Sequence, residues 1–305
     1  MKHRALALLP AFWLTAVIVA CSVGGSAEPA KESPTQISSA SATTNTTVTL
    51  KAVSFNVLYG AGVERRFDQH VGQRFKERDR MPELMAFLRE VDADVLAIQE
   101  AAGWDIGDPS IAEQVAEDLG MTYVLAPDAW ELHVVLFSKY PIVEASYVSR
   151  HQGFNGVALQ ATLAVTPEVH VNVLAVHLNS MSRDTRACQV EALVDMAKDL
   201  AGSTILIGDM NFRSNAPQAD VLRDNGWHLV AVQEAWPIDQ IWLDSDLGPP
   251  ETSDWWRSFE MPAGISDHLP AGVQMTFEVA PGENGLATDA IAEPRPLDYA
   301  CPLPS

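Results

Sequence analysis

Basic side chains are scarce in this chain: 20 Lys and Arg stand against 40 Asp and Glu, a formal net charge of −20. Proteins that grip a phosphate backbone neutralise several charges with clustered Lys and Arg, so this chain repels a long polyanion at distance. Its one basic concentration, Arg65, Arg66, Arg74, Lys76, Arg78 and Arg80, is interleaved with Glu64, Asp68, Glu77 and Asp79, and most of it reads as a solvated loop. Cysteine is rarer still, at three residues, and neither Cys188 nor Cys301 has metal-ligand spacing. No internal repeat is present. The apolar stretch Ala5–Ala20 is too short for an ordinary membrane-spanning helix.

That stretch, opened by Lys2 and Arg4, reads instead as an export signal. Ile18-Val19-Ala20-Cys21 resembles a bacterial lipobox, in which Cys21 is lipidated and becomes the mature N-terminus; a plain signal peptide with an incidental cysteine is the alternative. Loss of Lys2 and Arg4 with the leader takes the charge to −22. Ser22–Thr47, rich in Ser, Thr, Ala and Pro, reads as a flexible tether. The expected organisation is a leader over 1–20, a tether over 21–47, one domain over 48–279 and a Pro-rich tail over 280–305. The expected location is the outer side of a bacterial membrane, held by lipid, or free after secretion. An oxidising compartment permits a disulfide between Cys188 and Cys301, with two free thiols as the alternative.

Within the domain, apolar periodicity predicts strands near Val53, Val95, Thr122, Val134, Tyr147, Val157, Val169, Thr204, His228, Gln240 and Val273. Helices are predicted over Met81–Val91, Ser110–Leu119, Thr185–Ala201 and Pro217–Asn225, with Asp184 and Gly202 capping the third. Pro167-Glu168 reads as a hairpin turn. About 230 patterned residues fit one two-sheet α/β domain.

Five apolar runs end in polar groups suited to phosphate chemistry. Ile205–Ile207 leads through Gly208 into Asp209 and Asn211, and Val53–Val57 carries Asn56. Val95–Ile98 runs into Gln99 and Glu100, and Val171–Val176 runs into His177. Ser266-Asp267-His268 precedes the last strand. Alternate strand residues share a face, which predicts that Asp209 and Asn211 leave their strand on the same side. Each ending could be an ordinary cap; five together are not accounted for by capping.

The ordered set SFNVLYG, LAIQE, VHLNS, GDMNF, IDQIW and SDHLP resembles the endonuclease/exonuclease/phosphatase superfamily with its DNase I-like fold, over about Val48 to Val279. The resemblance implies a four-layer α/β/β/α sandwich of two mixed sheets flanked by helices. It implies Glu100 as the leading metal ligand, with Asn56 and Asp267 beside it, and Mg²⁺ as the ion (Mn²⁺ or Ca²⁺ being open). It implies Asp239 as the carboxylate that orients His268. For His177 the expected partner is Glu131, seven residues before Ser138, the interval at which secreted DNase I-type enzymes place such a Glu; His133 is the rival. A neutral imidazole accepts a proton and a charged one stabilises developing negative charge. Asp209 would orient or deprotonate water, Asn211 and Asn56 would donate to phosphoryl oxygens, and the choice of Asp209 or His268 as base stays open. Arg186 could reach a phosphate or form a helix-surface salt bridge. Trp255 and Trp256 could stack on a substrate, dip into a membrane interface, or pack on the sheet edge.

Together these readings predict a monomeric, metal-dependent phosphoesterase for a phosphodiester or phosphomonoester of small or lipid-headgroup type. An extracellular nuclease and a lipid-anchored binding protein without catalysis are the alternatives.

Overall fold

In the computed structural model the described residues are 45–233, 236–260, 264–280 and 293–297. The chain divides into Met1–Ala42 and Thr43–Ser305, and all described residues belong to the second unit. The leader, Cys21, most of the tether and Cys301 lie outside them.

In chain order the elements are β1 (Thr46–Asn56), α1 (Met81–Val91), β2 (Val95–Gln99), α2 (Ile111–Leu119), β3 (Thr122–Ala126) and β4 (Val134–Ser138). Then come β5 (Ile142–Val148), β6 (Val157–Ala164), β7 (His170–His177), α3 (Arg183–Lys198), β8 (Thr204–Asp209) and α4 (Pro217–Asp224). The last are β9 (His228–Val232), β10 (Asp239–Asp244), β11 (Glu251–Ser253), β12 (Ala271–Val279) and β13 (Arg295–Pro296). One sheet has the order β11-β12-β1-β2-β4-β3 and the other β13-β5-β6-β7-β8-β10-β9. Parallel pairing of β1 with β2, of β7 with β8 and of β13 with β5, inside otherwise antiparallel ladders, makes both sheets mixed.

Three apolar clusters define four layers. Leu50, Ala52, Val95 and Leu136 of the first sheet meet Leu159, Val173, Ile205 and Ile241 of the second between the sheets. Val53, Phe55 and Ile98 face outward against Leu84 and Leu88 of α1 and Val115 of α2. Leu174, Leu206 and Trp242 face outward against Val190 and Leu193 of α3 and Ala219 of α4. The order is therefore helix, sheet, sheet, helix, the expected sandwich. Apolar burial on both faces explains why β2, β4 and β8 read as continuous apolar runs rather than alternating ones.

Local chemistry sets the helix ends. Ser110 caps α2 by accepting from the Glu113 N–H, and Gly120 closes it in a left-handed conformation. For α3 the cap is Ser182, accepting from the Thr185 N–H; Asp184 sits inside the first turn, and the helix ends at Lys198 with Asp199 as C-cap, short of Gly202. The nearer hydroxyl takes the cap, and Asp184 serves the positive helix end from N2. Cys188 on α3 is disulfide-bonded. The tail is less featureless than its composition implied: β13 pairs in parallel with β5, and the Leu297 N–H donates to the Tyr147 carbonyl at 2.8 Å. Among the described residues no helix is long and apolar enough to cross a membrane.

Candidate active site

Strand parity carries the inter-sheet face into the site. In β7, Val173 and Ala175 point between the sheets, and His177 continues that face; in β8, Ile205 and Ile207 lead to Asp209; in β10, Ile241 and Leu243 share a face with Asp239. Asn56 follows Leu50 and Ala52 by the same rule. Register holds His177 beside Asp209 and Asp209 beside Asp239. Glu100 breaks parity, since Leu96 and Ile98 face the helices. A left-handed backbone at Glu100, φ 56°, turns its side chain back into the cleft. Such a conformation costs a non-glycine residue about 1–2 kcal/mol and persists where function or packing demands it.

The hub is Asp209 Oδ2. It accepts from Asn56 Nδ2 at 3.1 Å and lies 3.8 Å from His177 Nε2 and 3.9 Å from His268 Nε2. Its other oxygen accepts from the Asn211 N–H at 2.9 Å. Asn56 Nδ2 also donates to Glu100 Oε1 at 3.1 Å, while Glu100 Oε2 accepts from the Tyr59 N–H at 3.1 Å. His177 Nε2 is 3.9 Å from Glu100 Oε1. The Asp209 side chain is 2% exposed, that of Glu100 14% and that of His268 15%, so the cleft opens on the Glu100 and His268 side.

His268 Nδ1 donates to Asp239 Oδ2 at 2.8 Å, which turns Nε2 toward Asp209. Burial opposes charge on this imidazole, but the Asp239 hydrogen bond and the charges of Asp239, Asp209 and Asp267 push its pKa up to about 10. Burial and the charge of Asp209 push Asp239 up to about 7, against the pull of His268. The pair therefore titrates as a unit and keeps one proton, on the imidazole, between those values.

Several expected residues land elsewhere. Glu131 does not approach His177: it precedes β4 in a loop with φ 62° and meets Arg66 at the surface. The expectation assumed that β4 began before Glu131, whereas it begins at Val134. His133 is buried, accepts from the Asp128 N–H at 3.0 Å and faces Asp105. His177 is flanked instead by Glu100 and Asp209. Trp255 and Trp256 lie on a short 3₁₀ turn against the outer face of the first sheet, with Lys51 over the Trp255 ring at 5.3 Å and Phe87 edge-on to Trp256. Lys51 stands five positions before Asn56 on β1, so Trp255 is packed away from the cleft.

Asn211 leaves β8 through a left-handed turn (φ 52°) rather than along a strand face, and its amide donates to the Leu178 carbonyl at 3.0 Å. Among the described residues Arg186 makes no salt bridge; Nη1 donates to the Asn179 carbonyl at 2.7 Å, and the charge of Asp209 acts on the guanidinium. Asn56 presents N–H groups, not oxygen, to Glu100 and Asp209, and its Oδ1 accepts from the Leu58 N–H at 3.1 Å. That makes it an organiser of carboxylates rather than a cation ligand. Tyr59 escaped sequence reasoning although it lies in the quoted SFNVLYG. Burial, with the charges of Glu100 and Asp267, raises its hydroxyl pKa.

The donor set fits a divalent cation. Glu100, Asp209, Asp239 and Asp267 converge, and among the described residues no Lys or Arg forms an ion pair with any of them. Asp209, Asp239 and His268 bring ligand atoms within 4.8 Å of one another, but His268 Nδ1 is committed to Asp239, so this trio reads as a proton relay. Glu100 and Asp267 both act on Tyr59 and Arg80, which puts them around a common space. Hard carboxylate oxygens suit a hard cation.

Comparison with known proteins agrees with this fold. Residues 53–268 match the model of the Endonuclease/Exonuclease/phosphatase family, and the chain belongs to that family. Its members are hydrolases acting on phosphoesters, and they generally use divalent metals. Among solved structures, ANGEL2, a 2',3'-cyclic phosphatase, superposes with a TM-score of 0.60 at 14% identity, covering 75% of this chain and 95% of that one. The Bacteroides vulgatus endonuclease/exonuclease/phosphatase gives 0.56 at 12% identity over 75% and 98%. The human Nocturnin catalytic domain gives 0.53 at 14% over 78% and 97%. No curated protein matches the chain by sequence.

Proposed function

We propose that this chain is a Mg²⁺-dependent phosphoesterase acting outside the cytoplasm on a phosphodiester or phosphomonoester of lipid-headgroup type, anchored through Cys21. Glu100 and Asp267 would hold the cation, which would supply charge neutralisation on phosphoryl oxygens. Asp209 orients and deprotonates the attacking water, being a buried carboxylate and the hub of His177, His268 and Asn56. His268, charged through its pair with Asp239, stabilises the negative charge that develops in the transition state. His177 and Arg186 add donors on the opposite wall.

The observation that carries the substrate reading is the rim. Five large apolar side chains stand exposed among the described residues: Ile106, Trp130, Met181, Trp236 and Leu247. Ile106 follows Glu100, Met181 follows His177, Trp236 precedes Asp239, and Trp130 precedes the β4 end that pairs with Ile98. Four of the five thus occupy loops at the catalytic end. Only Leu247, after β10, lies at the other end. Water-soluble phosphates need no such rim, whereas indoles and thioethers suit the boundary between headgroups and acyl chains. The net charge of −20 argues against long nucleic acid.

The test uses the chain from Ser22 onward, freed of metal and reloaded with Mg²⁺. Phosphate or headgroup release from phosphatidylcholine and sphingomyelin vesicles should exceed that from plasmid DNA and soluble aryl phosphodiesters, and should vanish in His268→Ala. Preference for plasmid DNA would establish the nuclease reading instead. No turnover by folded protein on any of these would leave the binding-protein reading.

A further inference from the structure

Arg80 is 1% exposed, the only basic side chain among the buried polar residues described other than the imidazoles of His133 and His177. The basic cluster from Arg65 to Arg80 was expected to be solvated, and Arg80 departs from it completely. Among the described residues no carboxylate forms an ion pair with Arg80. Instead Nη1 donates to the carbonyls of Val57 (3.3 Å) and Ile265, and Nη2 donates to that of Leu58 at 2.6 Å. The guanidinium stacks 5.2 Å from the centre of Phe75, and its backbone N–H holds the Ala61 carbonyl at 2.8 Å.

The held carbonyls belong to two separate segments of the site. Val57 and Leu58 follow Asn56 and precede Tyr59, whose N–H binds Glu100. Ile265 precedes Ser266-Asp267-His268. Arg78 adds a weaker tie, from Nη1 to the Gly264 carbonyl at 3.5 Å.

The first segment needs holding. Leu58, Tyr59 and Ala61 all have left-handed backbones, with φ of 52°, 50° and 58°. Between them Gly60 approaches so closely that a Cβ there would sit 2.1 Å from the Ala102 carbonyl oxygen. Strain of this kind persists only where surroundings over-determine it. Burying a cation without a counter-charge is costly, and a planar five-donor fork spreads its donors widely enough to reach three carbonyls from two segments, which a compact ammonium does less well.

Building on the phosphoesterase reading, we propose that Arg80 is a positioning residue that locks the Asn56–Ala61 turn to the Ile265–His268 loop, thereby setting the approach of Glu100 to Asp267 and the cation affinity of the site. Asp267, Asp68 and Glu100 are the carboxylates whose charges act on Arg80, so the guanidinium also offsets part of the repulsion between Asp267 and Glu100. Lysine keeps the charge but lacks the fork.

The experiment compares the full chain with Arg80→Lys and, as a milder change that leaves the guanidinium in place, Phe75→Leu. Mg²⁺ binding is read by calorimetry, turnover as kcat and KM separately, and backbone order by amide hydrogen exchange. In Arg80→Lys, exchange should quicken in both loops while the central strands stay protected. Mg²⁺ affinity and kcat should each fall about 10–100-fold, the range for lost support behind metal ligands, with KM little changed. Phe75→Leu should shift all three readings in the same direction by less, and it decides the matter if Arg80→Lys does not fold. Quickened exchange in neither loop or in one alone would overturn the proposal, as would wild-type Mg²⁺ affinity and kcat in a merely destabilised variant. Coupled loosening of both loops in a chain that neither binds Mg²⁺ nor turns over would uphold the lock and refute the phosphoesterase reading.

Discussion

Asp239→Asn isolates the contribution of one carboxylate to the charge of the His268 imidazole. In the native chain the His268 pKa stands at about 10 against an ordinary 6.5. At about 1.36 kcal/mol per unit that gap is on the order of 5 kcal/mol of favourable interaction with the charged imidazole, most of it from Asp239. With Asn in place the hydrogen bond remains and the charge goes. Burial then pulls the pKa down against the weaker push of Asp209 and Asp267, to near or below the ordinary value. The sign for stability follows. A histidine whose folded-state pKa is raised contributes stability that is complete below about 6.5 and is lost as pH rises through about 10. Metal-free native protein should therefore lose denaturant stability steadily across that window, and Asp239→Asn should be flat there, with a deficit of a few kcal/mol at pH 6 that narrows toward pH 10. Histidine ring NMR of the metal-free proteins reads the titration directly. A native His268 that titrates near 6.5, or one unmoved by Asp239→Asn, refutes the reasoning.

Three further outcomes are expected. Gly208→Ala should lower the melting temperature by roughly 5–10 °C, because a Cβ at φ 150° would sit 2.0 Å from the Val176 carbonyl oxygen and a strand separation of that kind costs about 2–4 kcal/mol; an unchanged melt would show that β7 and β8 tolerate it. Glu131→Gln should leave kcat within about twofold, since its partner is the exposed Arg66 and surface ion pairs contribute about 0–1 kcal/mol, whereas Glu100→Gln should lose Mg²⁺ dependence and activity together. Full activity in metal-free Glu100→Gln would remove Glu100 from the site. The double substitution Trp130→Ala and Trp236→Ala should weaken vesicle binding and vesicle hydrolysis at least tenfold while sparing a soluble phosphodiester; equal losses on both would deny the rim a role in interfacial recognition.

Much of this architecture was legible in the chain itself. Eleven strands were expected near positions that the structure fills, and Met81–Val91 is bounded as expected, because burial of one face writes its period into the sequence. The two missed strands, β11 and β13, span three residues and two and owe their pairing to the neighbouring edge rather than to any pattern of their own. The errors at the site share one cause. Glu131 was placed by counting back from Ser138 along an imagined strand, and for Trp255 the sequence left substrate stacking, a membrane interface and the sheet edge all open. Both lie in loops, where position in sequence fixes neither direction nor neighbours. Arg80 was missed for a related reason: composition shows a mixed-charge loop, and nothing local shows that one guanidinium in it turns inward onto carbonyls contributed by the turn after β1 and by the loop before β12.

Parity is what makes the remaining site residues readable. Apolar residues at 50 and 52, 173 and 175, 205 and 207, and 241 and 243 pack between the sheets, and at the catalytic end the same face continues as Asn56, His177, Asp209 and Asp239. A polar group on that face is sheltered from water by the core beneath it, which is why Asp239 is fully buried and its proton affinity raised. The same shelter leaves few partners within reach, so each group's partners are the others: Asn56 bridges Glu100 and Asp209, and Asp209 faces both imidazoles. Glu100, which parity would send outward, enters only through a left-handed turn at its own backbone and the strained segment Leu58–Ala61 that receives it. The site is thus rigid where strands deliver it and conditional where loops do. Substitutions at Asp209 or Asp239 should therefore alter chemistry with the geometry intact, while those at Arg80 or Glu100 should alter the geometry on which cation binding depends.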